Sequence, residues 1–158
     1  MKVVSNSTPI ISLSTIGEIN ILHQLFGTIL IPQAVYYELK SKKAPGYQEI
    51  DAAYFQVKTI EGTPYIGFLL NDLDRGEAEA IMLAKEIKAD TLIIDERTAY
   101  RIARAQDINT IGTLTILLMA KQQGLIESVK PLLDAMIIQG RWYSHFVYND
   151  FLKKIGEI

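Results

Sequence analysis

The sequence predicts an α/β fold in which helices cover both faces of a central parallel sheet. Three observations carry that prediction. Short apolar runs, such as Val3-Val4-Ser5 and Leu92-Ile93-Ile94, alternate with longer stretches of helical periodicity. The runs are continuously apolar, as strands buried on both faces require. Polar residues Asn6 and Asp95 follow two of them immediately, on the edge where open α/β sheets bind ligands. Nothing matches a dinucleotide fingerprint or a P-loop, so the layout is Rossmann-like without a Rossmann cofactor site.

Each element has its own signal. Lys2 to Ser5 reads as the first strand. Asn6-Ser7-Thr8-Pro9 reads as a strand-to-helix turn, with Ser7 or Thr8 as N-cap and Pro9 in the first turn. Ile10, Ile11 and Leu13 begin an apolar helix, and a second runs from about Ile16 to Leu25 with Gly27 as its stop. Thr28 to Ile31 is the second strand. Pro32 opens a helix through Val35, Tyr36 and Leu39, ended by Ser41 to Gly46. Gln48 to Ala53 reads as a short helix, Phe55, Val57 and Thr59 as an edge strand, and Thr63-Pro64 as the start of another short helix. Asp72 to Asp74 offers caps for a helix from about Arg75 to Ile87. Thr91 to Ile94 is the clearest strand. Arg97 to Ala105 is helical, Asn109 to Ile111 a strand, and Thr113 to Gln123 a helix. Ser128 to Gln139 and Ser144 to Ile155 complete the series, with Gly140 ending the former.

At 158 residues the chain reads as one domain, residues 1–158, able to bury a substantial core. A 49% hydrophobic and 22% charged composition is that of a soluble globular protein. The absence of cysteine excludes disulfides and thiolate metal sites and fits a reducing, cytoplasmic setting. No signal peptide and no membrane-spanning stretch is legible. A net charge of -2 argues against a strongly basic nucleic-acid binder, yet leaves room for a local basic stripe.

The carboxylates carry the chemistry. Acids are seldom buried unless they are paired or bind a cation, and several here interrupt apolar patterns. Asp95 ends a buried strand, where it is either a site acid or the N-cap of the next helix. Glu77 shares a helical stripe with Ile81 and Ala84, while Glu79, roughly 200° further round, points elsewhere. Glu77 is a site acid or a helix-terminal acid favoured by the dipole. Glu38 closes a stripe with Ala34 and Val35 and also stands one turn from Lys42. Arg97, Arg101 and Arg104 repeat at helical spacing beside Asp95. They read as a phosphate track or as a solvated helix face. His23 and His145 lack metal-ligand spacing. Tyr36, Tyr37, Trp142, Tyr143 and Phe146 read as core or oligomer packing, with base stacking as the alternative.

Five strings, in order, resemble a known family: Val3-Val4-Ser5-Asn6-Ser7-Thr8-Pro9-Ile10-Ile11, Ile31 to Leu39, Arg75-Gly76-Glu77-Ala78-Glu79-Ala80-Ile81, Leu92 to Arg97, and Gly112-Thr113-Leu114. Together they resemble the PIN-domain superfamily, in particular its DUF3368 group related to VapC-type toxin ribonucleases. The resemblance implies a three-layer PIN-like α/β/α fold and a Mg2+- or Mn2+-dependent site. It implies Glu38, Glu77 and Asp95 as retained acids, Asn6 where relatives usually carry Asp, and Thr113 near a further site position. It also implies an RNA substrate, cleavage to a 5′-phosphate and a 3′-hydroxyl, and a small antitoxin partner. Homodimers or higher oligomers are consistent with it. Magnesium takes oxygen ligands and keeps several waters, so a few carboxylates leave room for phosphate. Asn6 can donate an amide oxygen but no negative charge. A catalytically silent PIN-fold module that binds RNA or protein is therefore the competing expectation.

Overall fold

The computed structural model of the chain describes residues 1–62 and 64–158. Five parallel strands form one sheet: β1 (Val3–Ser5), β2 (Ile29–Pro32), β3 (Phe55–Lys58), β4 (Thr91–Ile93) and β5 (Thr110–Ile111), in the order β3-β2-β1-β4-β5. The chain steps outward from β1 to β3, then returns to the other side of β1. That reversal opens a crevice between β1 and β4 at the carboxyl edge. Register pairs Ser5 with Ile93, and the Asn6 N–H donates to the Ile93 carbonyl at 2.9 Å.

Alternate strand residues feed two cores, as the pleat requires. Val3, Ile29, Ile31 and Ile93 face one, and Val4, Leu92 and Ile94 face the other. The first core is covered by α1 (Ser7–Thr15), α2 (Asn20–Phe26), α7 (Thr113–Gln122), α8 (Lys130–Ile138) and α9 (His145–Lys154). The second is covered by α4 (Tyr65–Leu69), α5 (Arg75–Glu86) and α6 (Arg97–Ala105). The helix α3 (Gln33–Lys42) packs against both α1 and α5. These three layers are the PIN-like α/β/α arrangement. No described helix is long and apolar enough to cross a membrane.

Several expectations need correction. Asn6, not Ser7 or Thr8, holds the N-cap position of α1, and its side chain makes no capping bond. The second helix starts at Asn20 because Gly17 adopts a left-handed φ of 71° that breaks the run. The segment from Gln48 forms only a 3₁₀ turn, Glu49–Asp51. Pro64 occupies the N-cap of α4, and Thr63 lies outside the described residues. Tyr36 and Tyr143 pack on the first core, but Tyr37, Trp142 and Phe146 are exposed, so intrachain packing does not account for those three. His23 stacks on Tyr54 at 4.4 Å between ring centroids, a packing position.

The C-terminal segment is fastened by Glu157, whose side chain is nearly buried. Its carboxylate accepts from the Val129 N–H at 2.8 Å, the Lys130 N–H at 2.7 Å and the Lys121 ammonium at 2.9 Å. It thereby satisfies donors at the N-terminus of α8. Burial opposes ionisation, but Lys121 and those two backbone donors outweigh it and hold the Glu157 carboxyl below the usual glutamate range. A depressed folded value stabilises the fold above the ordinary carboxyl range, and that support disappears as pH falls through the lower value. Glu157→Gln is therefore expected to cost on the order of 1–3 kcal/mol at neutral pH. Urea denaturation at about pH 7 and about pH 3 checks this, with the gap between the two proteins closing in acid.

Candidate functional site

Asn6 stands at the end of β1, on the rim of the crevice. It is only 3% exposed, and its Oδ1 has no hydrogen-bond partner. A buried acceptor left unmatched costs about 1–3 kcal/mol, so its retention calls for a reason. Asn6 has the extended backbone usual for an N-cap residue, yet its side chain makes no capping bond to α1 and its Oδ1 lies toward Gly76 of α5.

Gly76, in the first turn of α5, is where this oxygen meets Glu38. A Cβ at Gly76 would lie 3.2 Å from Glu38 Oε2 and 3.6 Å from Asn6 Oδ1. Both oxygens therefore face one bare stretch of helix backbone. The Ser7 hydroxyl steadies Glu38 by donating to Oε2 at 3.0 Å, and Lys42 approaches Oε1 at 3.4 Å. An open cleft of about 620 Å³ runs between α3 and α5, lined by Glu38, Tyr37, Lys42, Asp74, Arg75 and Gly76 among others.

Glu77 enters the same neighbourhood as part of a capping box. Its N–H donates to Asp74 Oδ1 at 2.8 Å, and its Oε1 accepts from the Asp74 N–H at 3.1 Å. Burial pushes the Glu77 carboxyl above its ordinary range. The Asp74 backbone donor works against that, and the charges of Asp74, Glu96 and Glu38 add to it. A half-buried acid facing other acids favours any arriving cation. The helix-terminal reading of Glu77 is thus realised as a capping box.

Glu79, set aside by sequence reasoning, is buried at 7% exposure. It accepts from the Ala34 N–H at 3.1 Å and from Arg75 Nε at 2.7 Å. It therefore caps the N-terminus of α3 from α5 and fixes the helix that carries Glu38. Its burial inside a helix rich in alanine was the available signal.

Asp95 sits differently. Its side chain is 7% exposed and bonded through both oxygens. Oδ1 accepts from the Thr113 N–H at 2.7 Å, while Oδ2 accepts from the Thr113 hydroxyl at 2.5 Å and from Arg141 Nη1 at 3.1 Å. Gly112 permits the approach, since a Cβ there would lie 2.8 Å from Oδ1. Asp95 thus serves the first turn of α7. The cap of α6 is Glu96, which accepts from the Thr98 and Ala99 N–H groups. Arg141 was missed because it lies in an irregular segment with no periodic signature. Its guanidinium also reaches Ser12 Oγ at 3.4 Å and lies over the Tyr143 ring at 4.8 Å.

The structure thus brings Asn6 and Glu38 together at Gly76, places Glu77 within the electrostatic reach of Glu38, and pairs Asp95 with Arg141. Among the described residues, no three acidic, histidine or cysteine side chains are arranged to hold a metal ion by themselves. The unmatched Asn6 Oδ1 adds an oxygen donor beside Glu38, and oxygen donors are the kind that Mg2+ or Mn2+ takes. Of the arginines on α6, Arg104 donates to the Thr110 carbonyl and to the Tyr100 hydroxyl. The side chains of Arg97 and Arg101 are exposed and make no hydrogen bond or ion pair with the described residues.

Residues 2–157 match a family model described as DUF3368: PIN domain. Among solved structures, the chain is similar to a PilT N-terminus domain protein from the hyperthermophilic archaeon Sulfolobus solfataricus P2. The TM-score is 0.56 at 18% identity, covering 92% of this chain and 99% of that one. At that identity the likeness speaks for the fold alone. No curated protein sequence matches.

Gly76→Ala tests the shared oxygen position. The added methyl forces Glu38 Oε2 outward, while alanine improves intrinsic helix propensity by up to about 1 kcal/mol. The expected outcome is weaker Mn2+ binding by calorimetry with thermal stability kept or raised.

Proposed function

The chain belongs to the DUF3368 family of PIN domains, and on that premise we propose that it is a Mg2+- or Mn2+-dependent endoribonuclease, the toxin of a type II toxin–antitoxin pair. The carrying observation is the unmatched, buried Asn6 Oδ1 facing Glu38 across Gly76, at the crevice where the strand order reverses. Asn6, Glu38 and Glu77 would hold the ion, and Asp95 completes the acidic edge. When bound, a divalent cation supplies Lewis-acid polarisation of the phosphoryl oxygen and a water of lowered pKa.

The chain's own residues do the rest. Ser7 orients the Glu38 carboxylate, Glu79 anchors its helix, and Thr113 fixes the rotamer of Asp95. Arg97 and Arg101, free on the outer face of α6, guide the RNA backbone, with Arg104 the inner member of the row. A small antitoxin protein covers the acidic edge in this reading. Homodimers or higher oligomers form through exposed apolar residues such as Trp142 and Phe146, and the protein acts in the cytoplasm. Two observations favour a second reading, a catalytically silent RNA- or protein-binding module: Asn6 lacks a charge, and Asp95 is already ion-paired.

Manganese-dependent cleavage of single-stranded RNA separates the two. Cleavage is expected in the wild type, absent in Glu38→Gln, and stronger in Asn6→Asp. The added carboxylate charge in Asn6→Asp should tighten Mn2+ binding on the order of tenfold. RNA binding with no cleavage by either the wild type or Asn6→Asp would support the silent module instead.

The basic row has an independent test. A double variant, Arg97→Ala with Arg101→Ala, removes about two phosphate contacts, so the slope of log affinity for single-stranded RNA against log salt should shrink by about 1.4. An unchanged slope places the RNA elsewhere.

A further inference from the structure

Arg141 contacts Asp95 from a segment that neither strand nor helix periodicity explains. The segment begins where α8 closes: Gly140 adopts a left-handed φ of 109°, its N–H meets the Ile137 carbonyl, and the Arg141 N–H meets the Met136 carbonyl. This Schellman closure reverses the chain and delivers Arg141 to the crevice.

We infer that Arg141 is a built-in counter-cation for Asp95, competing with a divalent metal ion for that carboxylate. The inference rests on the metal-site reading above. A carboxylate offers about four acceptor positions, and Asp95 has three of them in use. Two of these bonds come from Thr113, in the first turn of α7, and are fixed by the fold. The third comes from Arg141. With the Asp95 side chain 7% exposed, its charge is shielded from solvent and largely neutralised by the guanidinium.

The hold on Arg141 is lighter than the hold on Asp95. Beyond the ion pair, its guanidinium has one contact to Ser12 Oγ at 3.4 Å and the face of Tyr143. It remains 20% exposed and so has a way out toward solvent. A cation seeking Asp95 must displace a positive group, whereas a cation seeking Asn6 and Glu38 meets an acceptor with no partner. Arg141 thereby sets how much of the acidic edge a metal ion takes. A merely structural ion pair would tie the C-terminal segment to the sheet and leave metal affinity untouched.

The test is Mn2+ affinity by titration calorimetry on the full chain, with thermal unfolding followed in parallel. Arg141→Gln is expected to bind Mn2+ about tenfold more tightly, since an opposing charge beside the site is gone. Arg141→Lys should return the affinity toward the wild-type value. The gain should vanish in the double variant Arg141→Gln, Asp95→Asn. If Arg141→Gln does not fold, Arg141→Met, which keeps the packed stem, carries the same expectation. A folded Gln or Met variant with unchanged or weaker Mn2+ binding overturns the inference. If such a variant still cleaves RNA with Mn2+, the nuclease reading stands without it. Absence of Mn2+ binding in every variant overturns both.

Discussion

The hydrogen bond from the Asn6 N–H to the Ile93 carbonyl carries the β1–β4 ladder one residue past the strand. Everything at the carboxyl edge depends on that register. Parallel strands of period two admit no half-step, so a slip of one residue would exchange the faces of Val3 and Val4 and destroy both cores. With the register fixed, Asn6 must leave the sheet on the crevice side of β1 and Asp95 must leave beyond β4. The site is thus specified by hydrophobic packing before any polar contact forms.

The polar contacts then divide the edge into two halves of different electrostatic character. On the α3–α5 side, Glu38 and Glu77 are each oriented by a neutral donor. Ser7 supports Glu38 and the Asp74 N–H supports Glu77, while the exposed Lys42 pairs with Glu38 and Arg75 pairs with Glu79. Burial and neighbouring carboxylates leave Glu77 above its ordinary range. On the α7–α8 side, Asp95 has an arginine of its own. Among the described residues, Glu77 has no ion-pair partner, which is why burial and like charge act on it unopposed by a cationic side chain.

How legible this was in the sequence follows from the physics of each signal. The sheet and its helices were readable because continuous apolar strands and amphipathic helices have fixed periods, and Asp74 carried a recognisable capping pattern. Glu38, Glu77 and Asp95 were readable as acids in apolar company. What each one bonds was not. Asp95 had the cap of the helix after it as its alternative reading, yet Glu96 takes that role and Asp95 reaches α7 instead, a choice made by the tertiary approach of Gly112. Glu79 was misjudged because helical spacing gives a direction around one helix and says nothing of which neighbouring helix stands there. Arg141 lies 46 residues beyond Asp95, after a glycine stop, and no local pattern links the two.

Asn6 makes the contrast between the two halves chemical rather than positional. A carboxylate in its place would put a second charge against Glu38 across Gly76, where Arg75 is already paired with Glu79, and would have to be offset by a cation or by protonation. The amide avoids that repulsion at the cost of one unmatched acceptor. Asp95 and Asn6 therefore solve the same problem in opposite ways. One acid keeps its charge and borrows a guanidinium from the end of α8, while the other position gives up its charge and leaves an oxygen waiting. Each device lowers the uncompensated negative charge at the carboxyl edge. Together they leave that edge less repulsive than four unpaired carboxylates would be.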